Sequence, residues 1–269
     1  MRRSEASVHL MTYNIHRWAG RDQQIDLDRL AAVIQAADAD IVGLNEVLHP
    51  VTAGQSSSAP LAELAERLGM HYAFGPSGWI DYGPSWHGPV GNALLSRYPL
   101  TDVSNTWLPR LPSTKQRSLL GATFTSGTLQ GLTAFVTHLD HAFEGTRLHQ
   151  MNGIIKHIAR RSPHFLMGDF NTPGFLGPNT HRLLPPVLRL MRRAGYEDAF
   201  HAVGHGHGRT FPSHTPLVRI DFLFMPYHWA RGFRSARALN SGVTQQASDH
   251  RPLLVEWGWS EPIAAAGVA

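Results

Sequence analysis

Acids, amides and histidines recur where the short apolar runs of this chain end. Asn14 closes the run 8–13, Glu46 follows 41–44, His138 follows 134–137, and Asp169 and Asn171 follow 165–167. Asp249 and His250 immediately precede the last apolar run. A strand end holds a side chain rigidly while leaving it open to solvent, which suits catalysis. Carboxylates and amides gathered there make an oxygen-rich site. Hard cations such as Mg²⁺ or Mn²⁺ choose such ligands, taking one or two carboxylates and completing their shell with water and substrate phosphate. Each residue also has an ordinary alternative. Glu46 could be a turn former, His138 a hydrogen-bonded core histidine, and 169–173 an Asx turn before Pro173. Such placements, recurring in chain order, favour one shared site over separate coincidences.

The elements that must position these residues are legible in the apolar periods. Residues 8–13 read as a strand, followed by a helix on Leu27, Leu30, Ile34 and Ala37 with Asp26 as its N-cap. Residues 40–44 form an almost continuously apolar strand, buried on both faces. A second helix opens at Pro60, shows Leu61, Leu64 and Leu68 on one face, and stops at Gly69. From about 71 to 137 the pattern is strand-like. Leu148, Met151, Ile155 and Ile158 mark a third helix, residues 165–167 a short buried strand, and Leu184, Leu188 and Met191 a fourth helix ending at Gly195. Three more strands are expected near 219–225, 232–239 and 252–257. The order is α/β, a β-rich middle, then α/β. Residues 1–257 are read as one domain and 258–269 as a frayed tail. The Gly- and Pro-rich stretches 75–89 and 201–216 are expected to be loops forming functional walls.

Composition excludes more than it identifies. The 269 residues contain no cysteine, which removes disulfides, thiolate zinc sites and thiol nucleophiles. No apolar run reaches the ~18 residues of a membrane span. The opening segment lacks a signal-peptide pattern, so a cytoplasmic location is expected. Net charge is +4, from 24 Lys and Arg against 20 Asp and Glu, and only Lys115 and Lys156 are lysines. Arginine suits bidentate phosphate contacts, but no Lys/Arg cluster marks a nucleic-acid groove.

The motifs resemble those of the endonuclease/exonuclease/phosphatase superfamily, the DNase I-like metal-dependent phosphohydrolases, over residues 8–257. The resemblance rests on Leu-Met-Gly-Asp-Phe-Asn (166–171), Gly-Asn-Ala-Leu-Leu-Ser-Arg-Tyr-Pro-Leu (91–100), Thr-His-Leu (137–139), Arg-Ile-Asp-Phe-Leu-Phe (219–224) and Ser-Asp-His-Arg-Pro-Leu (248–253). Thr-Phe-Pro at 210–212 is most similar to a bacterial branch. The resemblance implies a four-layer α/β/β/α sandwich of two packed mixed sheets. It implies Glu46 as the principal metal ligand, with Asn14 and Asp249 completing the metal's surroundings. Asp169 would orient or deprotonate the attacking water, and Asn171 would hold phosphoryl oxygens. His250, oriented by Asp221, would bind the scissile phosphate, and His138 would help the leaving group depart. Asn92 matches a family asparagine that contacts substrate or supports the site. His16 departs from the pattern, standing where the apurinic endonuclease branch has an acid. Asn45 stands where Gln is commoner.

The implied protein is a monomeric enzyme dependent on Mg²⁺ or Mn²⁺, with one ion or two left open. Its substrate is a phosphate ester: nucleic acid first, a phospholipid headgroup or small phosphorylated metabolite second. A non-catalytic binding module is the remote alternative. Arg117 enters a strand from a polar loop and is either a contact for a second phosphate or a solvated arginine. Aromatics within 78–87 could stack on bases or meet a lipid tail. Arg147 and Gln150 are expected to brace the loop around Asp140 and His141. His201, His205, His207 and His214 read as a flexible Gly/His-rich loop more readily than as metal ligands.

Overall fold

The computed structural model describes residues 7–53, 56–81, 87–161, 163–174 and 184–258. The chain opens with β1 (Ser7–Asn14), a 3-10 turn (His16–Trp18), α1 (Leu27–Ala37) and β2 (Ile41–Leu48). A small hairpin of β3 (Val51–Ala53) and β4 (Ser56–Ser58) leads into α2 (Pro60–Leu68). The β-rich middle holds β5 (His71–Asp81), β6 (His87–Ser96), β7 (Leu100–Trp107), β8 (Ser118–Phe124) and β9 (Thr133–His138). Then come α3 (Glu144–Ile158), β10 (His164–Gly174), α4 (Pro186–Arg193), β11 (Tyr196–Asp198) and α5 (Ala199–Val203). The chain closes through β12 (Arg219–Pro226), α6 (Tyr227–Ala230), β13 (Phe233–Ala238), α7 (Gly242–Ala247) and β14 (Leu253–Gly258).

The helix signals act as expected. Asp26 caps α1 by accepting from the Arg29 N–H, and Gly69 ends α2 in the left-handed region. Residues 75–81 and 87–89, expected as loop, instead extend the long β5–β6 hairpin; 82–86 lie outside the described residues. Gly258, expected in the tail, pairs with Ser7 as the last residue of β14, and 259–269 are outside the described residues. Among the described residues, no helix is long and apolar enough to cross a membrane.

The strands form two mixed sheets. One runs β13-β14-β1-β2-β6-β3-β4 with β5 also on β6; the other runs β11-β12-β10-β9-β8-β7. Leu10, Ile41, Leu120, Val136, Met167 and Leu223 fill the space between the sheets. Val42, Leu44 and Val47 pack outward with Leu30, Ile34, Leu61 and Leu64 of α1 and α2. Leu166, Phe170 and Phe222 pack outward with Met151, Ile154 and Met191 of α3 and α4. The three apolar layers make the four-layer α/β/β/α sandwich.

Two irregularities aim the polar residues. Leu44 pairs with Ala93 and Val47 with Gly91, so Asn45 and Glu46 together oppose Asn92 in a bulge. Strict alternation would turn Glu46 onto the helix-covered face with Val42 and Leu44. The bulge, with Glu46 at φ 55°, brings it to the sandwich's end instead. In β10, Gly168 adopts φ 144°, and a Cβ there would overlap the Thr137 carbonyl oxygen of β9. Only glycine permits this approach immediately before Asp169. Gly168→Ala should therefore destabilise the fold by about 3 kcal/mol or more. Urea denaturation measures this, and a loss under ~1 kcal/mol would contradict the packing described.

Candidate active site

Sheet register assembles most of the site. Asp169 of β10 lies opposite His138 of β9 and Asp221 of β12, so three ionisable residues stand in one row across adjacent strands. In the other sheet Asn14 of β1 is level with Asn45 of β2, and Glu46 follows on the bulge. The rows face each other at one end of the sandwich, across a cavity of about 570 Å³. Asn14, Glu46, Asp169, Asn171, Asp249 and His250 all line it, together with His138 and Arg117.

Asparagines hold the rows together. The Asn14 Nδ2 donates to Asp169 Oδ2 at 3.0 Å and to Glu46 Oε1 at 3.4 Å, while its Oδ1 accepts from the His16 N–H. Asn45 crosses between the sheets behind the cavity. Its Oδ1 accepts from the Asp169 N–H at 2.8 Å, and its Nδ2 donates to the Thr137 carbonyl and Asn92 Oδ1. Asn92 then donates to the Ser118 carbonyl at 2.9 Å. Asn92 is buried behind the cavity rather than among its lining residues, so its contacts are structural.

His250 and its neighbours form a compact charge cluster. Its Nδ1 is 2.9 Å from Asp221 Oδ2, and its Nε2 is 3.7 Å from Asp169 Oδ2. Burial disfavours the imidazolium, but the charge and hydrogen bond of Asp221, aided by Asp169, outweigh it and lift the His250 pKa to about 10. The Asp169 pKa rises, because burial and the neighbouring Asp221 both oppose a second negative charge, with only partial relief from His250. Phe211 covers the His250 ring at 4.9 Å between centroids. The 210–213 segment supports this loop: Ser213 N–H donates to the Asp249 carbonyl, and Arg251 N–H to that of Thr210. The Thr210 Oγ1 accepts from the backbone of Ile220 and Asp221.

His138 has the opposite character. Its Nδ1 is 3.0 Å from Arg117 Nη1, and its Nε2 lies 2.9 Å from Asn171 Nδ2 and 3.5 Å from Asp169 Oδ2. A guanidinium can only donate, so Nδ1 is an acceptor, while Nε2 lies between the Asn171 amide and the Asp169 carboxylate. Burial, then the Arg117 charge, holds the His138 pKa well below the ordinary histidine value. One histidine is thus a cation and the other neutral, each in keeping with the partner on its Nδ1.

The remaining expectations are placed as follows. Asn171, at φ 48°, anchors its amide on the Leu139 carbonyl. Asp249 accepts from Ser248 Oγ, which also binds the Asn14 carbonyl and ties the ends of β1 and the 248–250 loop. Gln150 accepts from the Asp140 N–H and Arg147 donates to the Asp140 carbonyl, so both brace that loop. None of His201, His205, His207 and His214 lines the cavity. Sequence reasoning missed Arg17, whose Nε is 3.3 Å from Glu46 Oε2. It sits in the His16–Trp18 turn, where three consecutive residues have positive φ. No local pattern signals such a turn in a stretch without glycine. Asn45 was noticed only as a departure from the family pattern.

Asp169, Asp221 and His250 also bring potential ligand atoms within 4.8 Å of one another, a possible metal site. In the metal-free protein the His250 imidazolium already compensates these carboxylates, so an ion there would have to displace its proton.

Comparison with known proteins decides the family. The model of the endonuclease/exonuclease/phosphatase family matches residues 11–250. The chain belongs to that family. It is 26% identical over 259 residues to the uncharacterized protein YbhP of Escherichia coli K12, covering 93% of this chain and 96% of YbhP. Its fold is shared with a mannosyl-6-phosphatase from Bacteroides thetaiotaomicron, with 18% identity, a TM-score of 0.70, and coverage of 94% of this chain and 100% of that one. The 3′ phosphatase NExo from Neisseria, bound to a product DNA hairpin, aligns with 18% identity, a TM-score of 0.67 and the same coverage. The family includes nucleases and phosphatases and usually employs a divalent metal, so membership supports hydrolysis of a phosphoester bond.

The His250 cluster has a measurable consequence in metal-free protein. A histidine whose folded pKa is raised contributes stability that is complete below its unfolded value of ~6.5 and is lost as pH rises through the folded one. Stability in EDTA should therefore fall between ~6.5 and about 10 in the wild type. Asp221→Asn should flatten that decline, as read by urea midpoints across the range; parallel curves would refute the pairing.

Proposed function

We propose that this protein is a divalent-metal-dependent phosphodiesterase that activates water for in-line attack, with nucleic acid as the first substrate class. The carrying observation is the opposition, across one cavity, of Glu46 and Asn14 on one sheet to Asp169 and His138 on the other, with His250 on the loop before β14 paired to Asp221. A phosphodiester is anionic and repels hydroxide, so cations and donors must neutralise it before water can attack.

Glu46, Asn14 and Asp249 offer carboxylate and amide oxygens, the donors a hard cation takes, and all three line the cavity. Among the described residues Asn14 Oδ1 accepts only from His16 N–H, leaving a second lone pair. Mg²⁺ or Mn²⁺ held there would neutralise a phosphoryl oxygen and the departing oxygen. Asp169, with its raised pKa and its contacts to Asn14 and Asn171, is suited to orient water and take its proton. His250, kept cationic by Asp221, holds the phosphoryl oxygens as negative charge grows. Neutral His138 and the Asn171 amide stand together on the same side of the cavity.

A small phosphorylated metabolite or phospholipid headgroup is the second reading. The cavity volume of about 570 Å³ favours it, since this is the range of small-ligand sites. Salt separates the two: activity on nucleic acid should fall steeply between 50 and 200 mM salt, by roughly tenfold or more, and activity on a small ester should not.

With bis(p-nitrophenyl) phosphate and Mn²⁺, Glu46→Ala, Asp169→Asn and His250→Ala should each lower kcat/KM by roughly 10²–10³. EDTA should abolish turnover. Retention of wild-type rates by Asp169→Asn or His250→Ala would exclude the assigned roles.

A further inference from the structure

Arg117 is buried yet lines the cavity, at 9% exposure. Its Nη1 meets His138 Nδ1, a neutral acceptor, and its Nε has no hydrogen-bond partner. Among the described residues, no carboxylate lies within ion-pairing distance of it. A buried guanidinium is ordinarily matched by a carboxylate, as Arg219 is by Asp198 at 2.6 Å. Burial lowers the Arg117 pKa, the mark of a cation whose countercharge is incomplete. The sequence alternative of a solvated arginine is therefore excluded.

The surroundings point to an anion as the missing partner. Gln116 turns its side-chain amide away, onto the Leu108 and Arg117 carbonyls, and so holds the strand entry in place. Lys115, one of two lysines in the chain, lines the same wall and is exposed. Glu46 and Asp169 are too far to pair with Arg117, although their charges favour its protonated form. His138 separates Arg117 from Asp169, so a group bound by Arg117 lies beside the scissile phosphate rather than on it.

We propose that Arg117 and Lys115 form a subsite for a second phosphate group of the substrate, adjacent to the scissile phosphodiester on the His138 side. The subsite rests on the phosphodiesterase reading and narrows it to substrates carrying two neighbouring phosphates, as successive positions of a nucleotide chain do. The Arg117 Nη2 makes no hydrogen bond among the described residues and, with Lys115 beside it, can donate to such a group. Trp79, 63% exposed and lining the same cavity, offers the face on which a base of that chain stacks.

The test compares the dinucleotide TpT with pTpT and TpTp under Mn²⁺. Wild-type protein should cleave one of the phosphorylated dinucleotides at least tenfold better than TpT in kcat/KM. Arg117→Met should bring that ratio to about one, and Arg117→Lys should leave an intermediate ratio. Equal rates on all three by wild type, or a preference that survives Arg117→Met, would overturn the subsite. A second readout needs no turnover. Pyrophosphate in EDTA should raise the melting temperature of wild type, less so of Arg117→Lys, and not of folded Arg117→Met. An equal rise in Arg117→Met refutes the subsite. Absence of metal-dependent hydrolysis with the pyrophosphate shift intact would instead refute the phosphodiesterase reading alone.

Discussion

Ionisable groups buried at one end of the sandwich must be compensated by one another, and the rest of the structure is arranged around that requirement. Asp169 and Asp221 lie level on paired strands, both fully enclosed. Two such carboxylates cannot both be charged without a cation between them. His250 supplies it, and in doing so becomes a fixed positive centre facing the cavity. Burial would ordinarily neutralise an imidazole; here the two carboxylates reverse the outcome. His138, one strand away, lacks that pairing and is kept neutral by burial and by Arg117. The same residue type thus takes two protonation states within one site because different charges meet its Nδ1.

The backbone carries part of this arrangement. Asp169 can occupy its position only because Gly168 lets β10 approach β9, and Glu46 reaches the cavity only because β2 bulges against β6. Asn45 then fastens the two sheets at this level by accepting from Asp169 N–H and donating to Thr137. A buried amide with its bonds satisfied rigidifies what it joins, whereas one left unpaired would cost about 1–3 kcal/mol. Local regularity is given up at Gly168, Glu46 and the His16–Trp18 turn, all beside the cavity. Such concentration of irregular backbone is what a preorganised site requires.

Much of the fold was legible in the sequence because the periods were strong. Asp26 and Gly69 marked helix ends through capping chemistry, and the strands around 8–13, 40–44 and 219–225 were recovered with shifted limits. The β5–β6 hairpin was hidden because its Gly-, Pro- and aromatic-rich composition resembles a loop, whereas cross-sheet pairing overrides that local preference. The placement of Asn14, Glu46, His138, Asp169, Asn171 and His250 around one cavity matched the expectation from strand ends. Arg17 was invisible because its position depends on a left-handed turn, and Asn92 could not be assigned to the cavity or its support without the packing.

The sequence by itself determined the inventory: which acids, amides and histidines stand at strand ends, the absence of thiols, and the α/β order. These follow from residue type and period, which are local properties. Tertiary structure decided which of them share charge. Protonation of His250, neutrality of His138, and the incompletely matched charge of Arg117 depend on distances between strands far apart in sequence and on removal from water. Both are set only when the two sheets close on each other.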